Sequence, residues 1–375
     1  MTRVGARTDI GPPPHFMGSR PRLGFGAWAV GGAGWGEPGD ERERVAAVRH
    51  AVERGITFFD TAPTYGDGAS ERLLGAALEP HREAVAIATK VGPHDDPRDS
   101  LDASLRRLGT DYVDLIQLHE TLGRWEWSLE KLHKLVNEKK ALAIGLCNAT
   151  HLQLARALEI APVVSHQGSY NLFDRDVEQR ELPLCRDHGL AFLAYRPLAS
   201  GVLTGKYAAA PDFPEDDHRR KSYWFKGREF ERRRAVIERL RPIAERLDLT
   251  LAALALAWVL ARPGVSVVLA GAWNRDQVNH NLRATTQHLA PDTVQAVDTI
   301  VADVFRPARA TPQAADLTKA WGARERFIIE RLDGKTAYEA ISAQWTDRGQ
   351  QPMVAAQIKV LVDELVEQGL ATANG

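Results

Sequence analysis

The sequence contains very little cysteine: only Cys147 and Cys185 occur among its 375 residues. Two cysteines are too few for a disulfide framework or a cysteine-rich metal cage, and they favour a reducing compartment. No stretch approaches the roughly 18 consecutive apolar residues that a membrane-spanning helix needs. The N-terminal segment before Arg22 also lacks the apolar run of a secretory signal. Together these absences predict a cytoplasmic protein without a metal site.

The chain also has almost no net charge, with 48 basic and 49 acidic residues and a formal charge of −1. Such a balance gives no overall attraction to nucleic acid or to an anionic membrane surface. Hydrophobic residues make up 44% of the chain, which allows a sizeable core in one large domain plus a small one, or in several ordinary domains. We therefore expect a small-molecule substrate, and neither nucleic acid nor a membrane as partner.

From Arg22 onward, short apolar runs alternate with segments of helical periodicity. The apolar runs are RLGFG, ITFFDTA, AVAIATKVG, YVDLIQLHE, LAIGLCNA, PVVSHQGSYN, LAFLAYRPL and VSVVLAGA. Nearly continuous apolar runs are typical of parallel strands that are buried on both faces. Eight strand–helix units in about 300 residues predict an α/β fold, a closed (β/α)8 TIM barrel.

An open, doubly wound sheet is the alternative architecture. It would carry a Gly-x-Gly-x-x-Gly turn after its first strand and an acidic residue about twenty positions later. Gly31, Gly32 and Gly34 follow the first predicted strand, but their spacing does not fit that turn. The barrel is therefore preferred.

Ionisable side chains occur where three consecutive predicted strands end. Asp60 and Tyr65 follow the second strand, Lys90 ends the third and His119 ends the fourth. Because barrel chemistry is carried at the carboxyl ends of the strands, we expect the four side chains to converge. Asp60 would pair with Lys90, whose charge would lower the pKa of the Tyr65 phenol and make it a usable general acid. His119 would hydrogen-bond the same substrate oxygen.

These segments resemble the aldo-keto reductase family over roughly residues 20–305. GITFFDTAPTYGDGASERLLGAAL is similar to the family's signature around its catalytic Asp and Tyr, IATKVG to its lysine strand, and DYVDLIQLHE to its histidine strand. The resemblance implies a catalytic tetrad of Asp60, Tyr65, Lys90 and His119. It also implies an enzyme that reduces an aldehyde or ketone by hydride transfer from a nicotinamide cofactor.

The same resemblance implies a dinucleotide that extends across the barrel mouth. The residues matched to its nicotinamide end are Cys147, Asn148, Gln167 and Tyr195, whose ring would stack on the nicotinamide. Cys147 stands where the family places Ser, and its sulfur is a weaker hydrogen-bond partner than a hydroxyl. The residues matched to the pyrophosphate are Leu198, Ser200, Gly201 and Leu203, where small side chains let backbone N–H groups approach phosphate oxygens.

The segment AGAWNRDQVNHN resembles the family's adenosine-phosphate segment, and the helix start within it favours anions. Its matched residues are Gly271, Trp273, Arg275, Gln277 and Asn281. Trp273 stands where related members usually place the arginine that grips the 2′-phosphate, and Arg275 is the candidate replacement. The resemblance favours NADP as the cofactor and leaves NAD as the alternative.

Four aromatic residues are the candidates for substrate binding. Trp28 and Trp35 lie on the predicted loop after the first strand, and Tyr223 and Trp224 lie in the long charged insertion after the seventh. A structural role in capping the barrel is an equally good interpretation of the first pair.

The chain continues beyond the expected end of the barrel. Residues 1–306 are predicted to form the barrel domain, residues 307–317 a Pro/Ala-rich linker, and residues 318–375 a small helical module in which LATA would be a short strand. The module is loosely similar to PqqD-like winged-helix domains, which bind leader peptides in natural-product pathways, and this likeness implies a peptide or protein partner. The alternative is a structural or oligomerisation role. A net charge of −2 over residues 311–375 disfavours DNA binding.

Two other functions are compatible with the same barrel. A nicotinamide-dinucleotide-binding sensor or regulatory subunit would retain its dinucleotide and turn over hardly at all. A barrel isomerase or aldolase would use Lys90 as a Schiff-base amine. The complete set of four ionisable residues favours the reductase.

Overall fold

A computed structural model describes residues 22–32, 34–35, 39–305 and 309–310, and further on residues 328, 332, 338, 341, 358–359, 362–363, 366 and 371–372. Eight parallel strands close into a barrel in chain order, which confirms the predicted TIM-barrel class. The strands are β1 Leu23–Gly26, β2 Phe58–Asp60, β3 Ala86–Val91, β4 Leu115–Leu118, β5 Ile144–Cys147, β6 Val163–Ser169, β7 Ala191–Tyr195 and β8 Val265–Ala270.

Helices follow the strands along the chain. They are α1 Glu41–Glu53, α2 Ala69–Leu78, α3 Pro97–Leu108, α4 Trp125–Asn137, α5 His151–Ile160, α6 Glu181–Asp187, α7 Gly227–Arg246, α8 Leu251–Leu260, α9 Arg275–Thr286 and α10 Pro291–Val304. Some of their N-termini are capped by side chains that accept from free backbone N–H groups: Asp40 caps α1, and Thr150 caps α5 in a reciprocal capping box with Gln153. Across the part of the chain that the structure describes, no helix is long and apolar enough to cross a membrane.

The barrel interior is filled by side chains from several strands. A buried cluster includes Phe58, Leu115, Leu193, Val267 and Leu269. Gly24 faces this cluster, and a Cβ at that position would lie 2.8 Å from the Leu269 side chain, so the packing requires a glycine there.

Strand register brings the predicted site residues to one end of the barrel. Asp60 is the last residue of β2 and lies beside Ala88 of β3. Lys90 pairs with Gln117 of β4, and Cys147 at the end of β5 pairs with Gln167 of β6. The carboxyl ends of the strands therefore present these polar side chains to a common space.

Residues 298–375 form a second compact unit, separate from residues 1–297. In it, β9 Arg309–Ala310 pairs antiparallel with β10 Ala371–Thr372. Strand β10 confirms the short strand predicted in LATA, whereas β9 lies inside the predicted linker. The described apolar side chains of this unit that are buried include Ile328, Leu332, Tyr338, Ile341, Ile358 and Val362. The rest of the predicted linker and module lies outside the described residues.

Candidate active site

A chain of hydrogen bonds joins the ends of β2 and β3. The Nζ of Lys90 donates to Asp60 Oδ1 at 2.7 Å, to the carbonyl oxygen of Thr61 at 2.8 Å and to the Tyr65 hydroxyl oxygen at 3.1 Å. All three ammonium protons are thereby used. The pairing of Asp60 with Lys90 that the sequence predicted is present, with Lys90 only 1% exposed.

The Asp60 carboxylate keeps Lys90 charged. Burial is the largest single influence and lowers the pKa of Lys90, but Asp60, with smaller contributions from Tyr65 and Cys147, raises it by more in total, so the net pKa is raised. A Schiff base requires a free amine, and an ammonium with three hydrogen bonds and a raised pKa does not supply one at neutral pH. The site therefore disfavours the aldolase and isomerase alternative.

The pKa of Tyr65 differs from the sequence expectation. Burial raises the pKa of the phenol to about 12, whereas Lys90 acts in the opposite direction and lowers it. Lys90 does lower the pKa of the phenol as expected, but the loss of phenolate hydration on burial raises that pKa by more. Tyr65 therefore stays protonated near neutral pH and is able to donate its proton.

Two glycines fix the loop that carries Tyr65. A Cβ at Gly31 would lie 2.8 Å from the Tyr65 carbonyl oxygen, and a Cβ at Gly66 would collide with the Gly31 backbone. Gly66 also has a φ of +63°, in the left-handed region that favours glycine. The close packing of these two backbones holds Tyr65 over the end of β2.

His119 stands beside Tyr65, as expected. Its ring centroid lies 6.1 Å from that of Tyr65 in an edge-to-face arrangement. Burial, with a smaller contribution from the Lys90 charge, lowers the pKa of His119 to about 3. A neutral imidazole carries one N–H donor and one acceptor nitrogen, so His119 orients an oxygen without carrying charge.

Two glutamines donate hydrogen bonds to the second carboxylate oxygen of Asp60. Oδ2 of Asp60 accepts from Gln167 Nε2 at 2.8 Å and from Gln117 Nε2 at 3.1 Å. Gln117 was missed at the sequence level, although a polar residue inside the apolar run LIQL is a recognisable signal. Gln167, predicted to bind the nicotinamide carboxamide, lies in the barrel interior and uses its amide nitrogen on Asp60. Cys147 is also interior, and its Sγ donates to Gln117 Oε1 at 3.6 Å.

Asn148 and Tyr195 lie next to each other at the ends of β5 and β7. The Tyr195 hydroxyl donates to Asn148 Oδ1 at 2.8 Å. Asn148 Nδ2 donates to the carbonyl oxygen of His119 at 3.1 Å and to Glu120 Oε1 at 2.9 Å. The side chain predicted to hold a nicotinamide amide is therefore engaged by protein groups.

A cavity of about 690 Å³ opens above this cluster. Twelve of the residues predicted as site residues line it: Trp28, Trp35, Asp60, Tyr65, Tyr195, Leu198, Ser200, Gly201, Gly271, Trp273, Gln277 and Asn281. Nine predicted residues are absent from the lining: Lys90, His119, Cys147, Asn148, Gln167, Leu203, Tyr223, Trp224 and Arg275. Lys90 and Gln167 are buried and bonded to Asp60 at the floor of the cavity, and Cys147 and Leu203 are also buried.

The adenosine-phosphate segment forms one rim of the cavity. Asn274 caps α9 by accepting from Gln277 N at 2.9 Å, and Gln277 Oε1 accepts from Trp273 N at 2.7 Å. Asn281 Nδ2 donates to the carbonyl oxygen of Gly271 at 3.2 Å. These bonds shape the loop between β8 and α9, while Arg275 is exposed at the first turn of the helix.

Three cationic lining residues were missed by the sequence analysis: Arg196, Lys206 and Arg219. Arg219 is held by Asp217, whose Oδ1 accepts from Nε at 2.9 Å, and its Nη1 donates to the Tyr207 hydroxyl at 3.1 Å. Lys206 is exposed and follows the turn at Gly205. A lysine directly after a glycine-rich turn was the available signal.

The four aromatic candidates divide into two pairs. Trp28 and Trp35 line the cavity beside Tyr65, with the Trp28 ring centroid 6.0 Å from that of Tyr65. The insertion does not bring Tyr223 and Trp224 to the cavity lining. Trp224 is 4% exposed and packs inside the insertion instead, while Tyr223 is exposed, so their predicted substrate contact is not seen.

Comparisons with known proteins agree with this geometry. A family model described as Aldo/keto reductase family matches residues 22–302. The chain is 33% identical over 297 residues to the aldo-keto reductase YhdN of Bacillus subtilis (strain 168), covering 75% of this chain and 89% of that protein. It is 31% identical over 292 residues to a probable aldo-keto reductase 1 of Glycine max, covering 74% and 84%.

Solved structures give the same result. The glycerol dehydrogenase AKR11B4 from Gluconobacter oxydans has a TM-score of 0.70 and 33% identity, over 78% of this chain and 94% of that chain. An aldo/keto reductase from Klebsiella pneumoniae, solved in complex with NADP and acetate, has a TM-score of 0.61 and 28% identity, over 75% and 91%.

Proposed function

Because the chain belongs to the aldo/keto reductase family, we propose that it reduces an aldehyde or ketone to the alcohol with NADPH as hydride donor. The observation that carries this proposal is the hydrogen-bonded chain Asp60–Lys90–Tyr65 at the floor of the cavity. Chains of this kind place a proton donor where charge develops on a substrate oxygen.

The cavity fits an anionic dinucleotide. Its volume of about 690 Å³ falls within the range of small-molecule and cofactor sites, roughly 300–1,000 Å³. Lys206 and Arg219 supply positive charge to its lining, which also includes Ser200 and Gly201 in a left-handed turn. A Klebsiella pneumoniae relative has been solved with NADP and also with NADPH, which supports NADP over NAD here.

When bound, the nicotinamide supplies a hydride to the carbonyl carbon. Tyr65 donates its phenolic proton to the carbonyl oxygen, so that one C–H and one O–H bond form while the C=O π bond and the phenolic O–H bond break. The Lys90 ammonium, 3.1 Å from the phenolic oxygen, stabilises the phenolate that remains. Asp60 holds that ammonium in place, and Gln117 and Gln167 hold Asp60.

The neutral His119 donates a hydrogen bond to the same carbonyl oxygen. A donor on each side of this oxygen orients the carbonyl for attack on one face. Within the described chain, no residue donates to Gln167 Oε1, which supports Gln167 as an acceptor for a carboxamide. Asn148 takes the same part only by exchanging its contact with Tyr195 or Glu120.

The comparisons give no support to the sensor alternative. Three finer expectations stay proposals: a cytoplasmic location, a role in natural-product biosynthesis, and a peptide or protein partner for residues 318–375. A structural or oligomerisation role for these residues remains the rival proposal.

The test is an assay of the full-length protein on a panel of aldehydes and ketones, followed by loss of NADPH absorbance with NADH alongside. We expect turnover with NADPH on at least one carbonyl and slower turnover with NADH. Tight retention of dinucleotide without turnover on any carbonyl would contradict the proposal and favour the sensor.

A further inference from the structure

Arg196 is a cavity residue for which the proposed reaction gives no role. It directly follows Tyr195 at the end of β7 and lines the cavity. Tyr195 in turn bonds Asn148, next to His119. Arg196 therefore belongs to the end of the cavity where the carbonyl reacts.

The Arg196 guanidinium has an aromatic platform but no hydrogen-bonding partner among the described residues. Its charge reaches the Asp174 carboxyl, whose pKa is raised mainly by burial and is lowered in part by Arg196. The central carbon of the guanidinium lies 4.4 Å from the ring centroid of Trp224. Among the residues that the structure describes, none forms a hydrogen bond or ion pair with this guanidinium. Arg219 differs, because Asp217 and Tyr207 bind it. A half-buried guanidinium with five free N–H donors in a concave site calls for an anion.

The backbone at Arg196 is held in an uncommon conformation. Its φ is +53°, in the left-handed region that residues other than glycine rarely adopt. Its carbonyl oxygen accepts from Asn171 Nδ2 at 3.1 Å and from the Ala199 N–H at 2.9 Å. Strain that the surroundings maintain in this way is typical of functional positions.

The charge of Arg196 acts on the substrate side of the cavity. His218 lies 4.5 Å from Trp28 between ring centroids, and Trp28 stacks on Tyr65. Burial is the main cause of the lowered pKa of His218, and the Arg196 charge is among the smaller causes. Arg219 also lowers that pKa and lies 5.1 Å from the Trp35 ring centroid. It is already bonded to Asp217 and Tyr207, so Lys206 is the cation left for the cofactor phosphates.

We propose that Arg196 binds an anionic group on the substrate, so that the preferred substrates are aldehydes or ketones that also carry a carboxylate or a phosphate. This inference rests on the proposed function, because it assigns the substrate class of the same site. The planar guanidinium binds either group through two parallel N–H···O bonds, and Trp224 holds it in position for that contact.

The test compares anionic carbonyls with neutral partners of the same skeleton. The pairs are 4-oxobutanoate with its methyl ester, and glyceraldehyde 3-phosphate with glyceraldehyde. We expect a higher kcat/KM for the anion of at least one pair, and the better pair tells carboxylate from phosphate. Arg196→Gln should lower kcat/KM for that anion by about 10- to 100-fold and change the neutral partner by less than about twofold.

Matched variants separate charge from geometry. Arg196→Lys keeps the charge but loses the paired donors, so its loss should be intermediate. Arg42→Gln removes an exposed arginine from the first turn of α1 and should leave kcat/KM unchanged for both the anionic and the neutral substrate.

Two outcomes would overturn the inference. An equal loss on anionic and neutral carbonyls, with weaker NADPH binding by tryptophan fluorescence, would assign Arg196 to the cofactor. A wild-type protein that prefers the neutral partner of both pairs would show that no anion is selected.

A binding measurement keeps this inference separate from the proposed function. Calorimetric titration of the NADP-loaded protein with succinate and with glycerol 3-phosphate needs no turnover. We expect binding of at least one of the two anions by wild type and a loss of about tenfold or more in Arg196→Gln. If no carbonyl is reduced, the proposed function fails while this titration still decides the role of Arg196. Equal binding by both proteins would contradict that role.

Discussion

The side chains at the floor of the cavity and those at its rim differ in burial and in hydrogen bonding. At the floor, Asp60, Lys90 and Gln167 are almost completely buried and bonded to one another. At the rim, Arg196 is half-buried and Lys206 is exposed. Among the residues that the structure describes, none forms a hydrogen bond or ion pair with either side chain. The floor is preorganised by strands, so it fixes the chemistry, while the rim lies on connecting segments and has donors left for ligands.

The largest expected effect comes from removing the charge at the floor. Lys90→Met should reduce carbonyl reduction by at least about 100-fold and lower the free energy of unfolding by about 3–5 kcal/mol. The rate falls because the ammonium that stabilises the Tyr65 phenolate is gone, and the stability falls because Asp60 is left buried without its partner. Urea unfolding and steady-state kinetics measure the two effects.

Lys140→Met is the matched control. Lys140 pairs with Asp102 at 2.6 Å, but its side chain is 32% exposed. Solvent screens this pair, so the change should cost no more than about 1 kcal/mol and leave turnover intact. If the two variants were equally stable and active, the contrast between buried and exposed pairs would be wrong.

A smaller effect is expected at the rim. Arg275→Ala should weaken NADPH binding by about tenfold and leave NADH binding nearly unchanged, because only NADPH carries the 2′-phosphate. Lys206→Ala should weaken the binding of both dinucleotides, because both contain the pyrophosphate. Fluorescence titration can use the nine tryptophans of the chain.

Small and equal losses of NADPH and NADH affinity in Arg275→Ala would place this arginine outside the cofactor site. That outcome would also move the expected cofactor from NADP toward NAD.

The smallest expected effect concerns pH. The reduction needs a protonated Tyr65 phenol, which is lost only as pH rises through its pKa of about 12. The neutral form of His119 is lost only as pH falls through a pKa of about 3. The pre-steady-state rate of reduction should therefore change by less than about twofold between pH 6 and 9. A fall in rate between pH 7 and 9 would show that Lys90, rather than burial, dominates the pKa of the phenol.

The barrel and its floor were predictable because the sequence repeats one physical rule. Continuous apolar runs mark strands buried on both faces, and closure of those strands fixes which positions share an end. Asp60, Lys90 and His119 each stand at the end of such a run, so their convergence follows from topology. Gln117 was accessible to the same reasoning but was overlooked.

The rim was less predictable because its residues lie on connections rather than strands. Twelve of the predicted site residues line the cavity, yet the sequence analysis did not indicate Arg196 and Lys206. The aromatic composition of the insertion also made Trp224 a substrate-binding candidate, whereas this ring is buried and packs against the Arg196 guanidinium. The pKa of Tyr65 was expected to fall because the sequence indicated the neighbouring Lys90. The sequence did not indicate how deeply the phenol is buried, and burial raises that pKa.

The most direct test of the account is the replacement of Tyr65 by Phe, which keeps the ring and removes the proton donor. NADPH affinity and the single-turnover rate are measured on the same preparation with the best carbonyl found. We predict an unchanged dissociation constant for NADPH and a fall in rate of about 100-fold or more. Near-normal reduction by Tyr65→Phe would contradict the assignment of Tyr65 as the acid and, with it, the role of the Asp60–Lys90 pair beneath it.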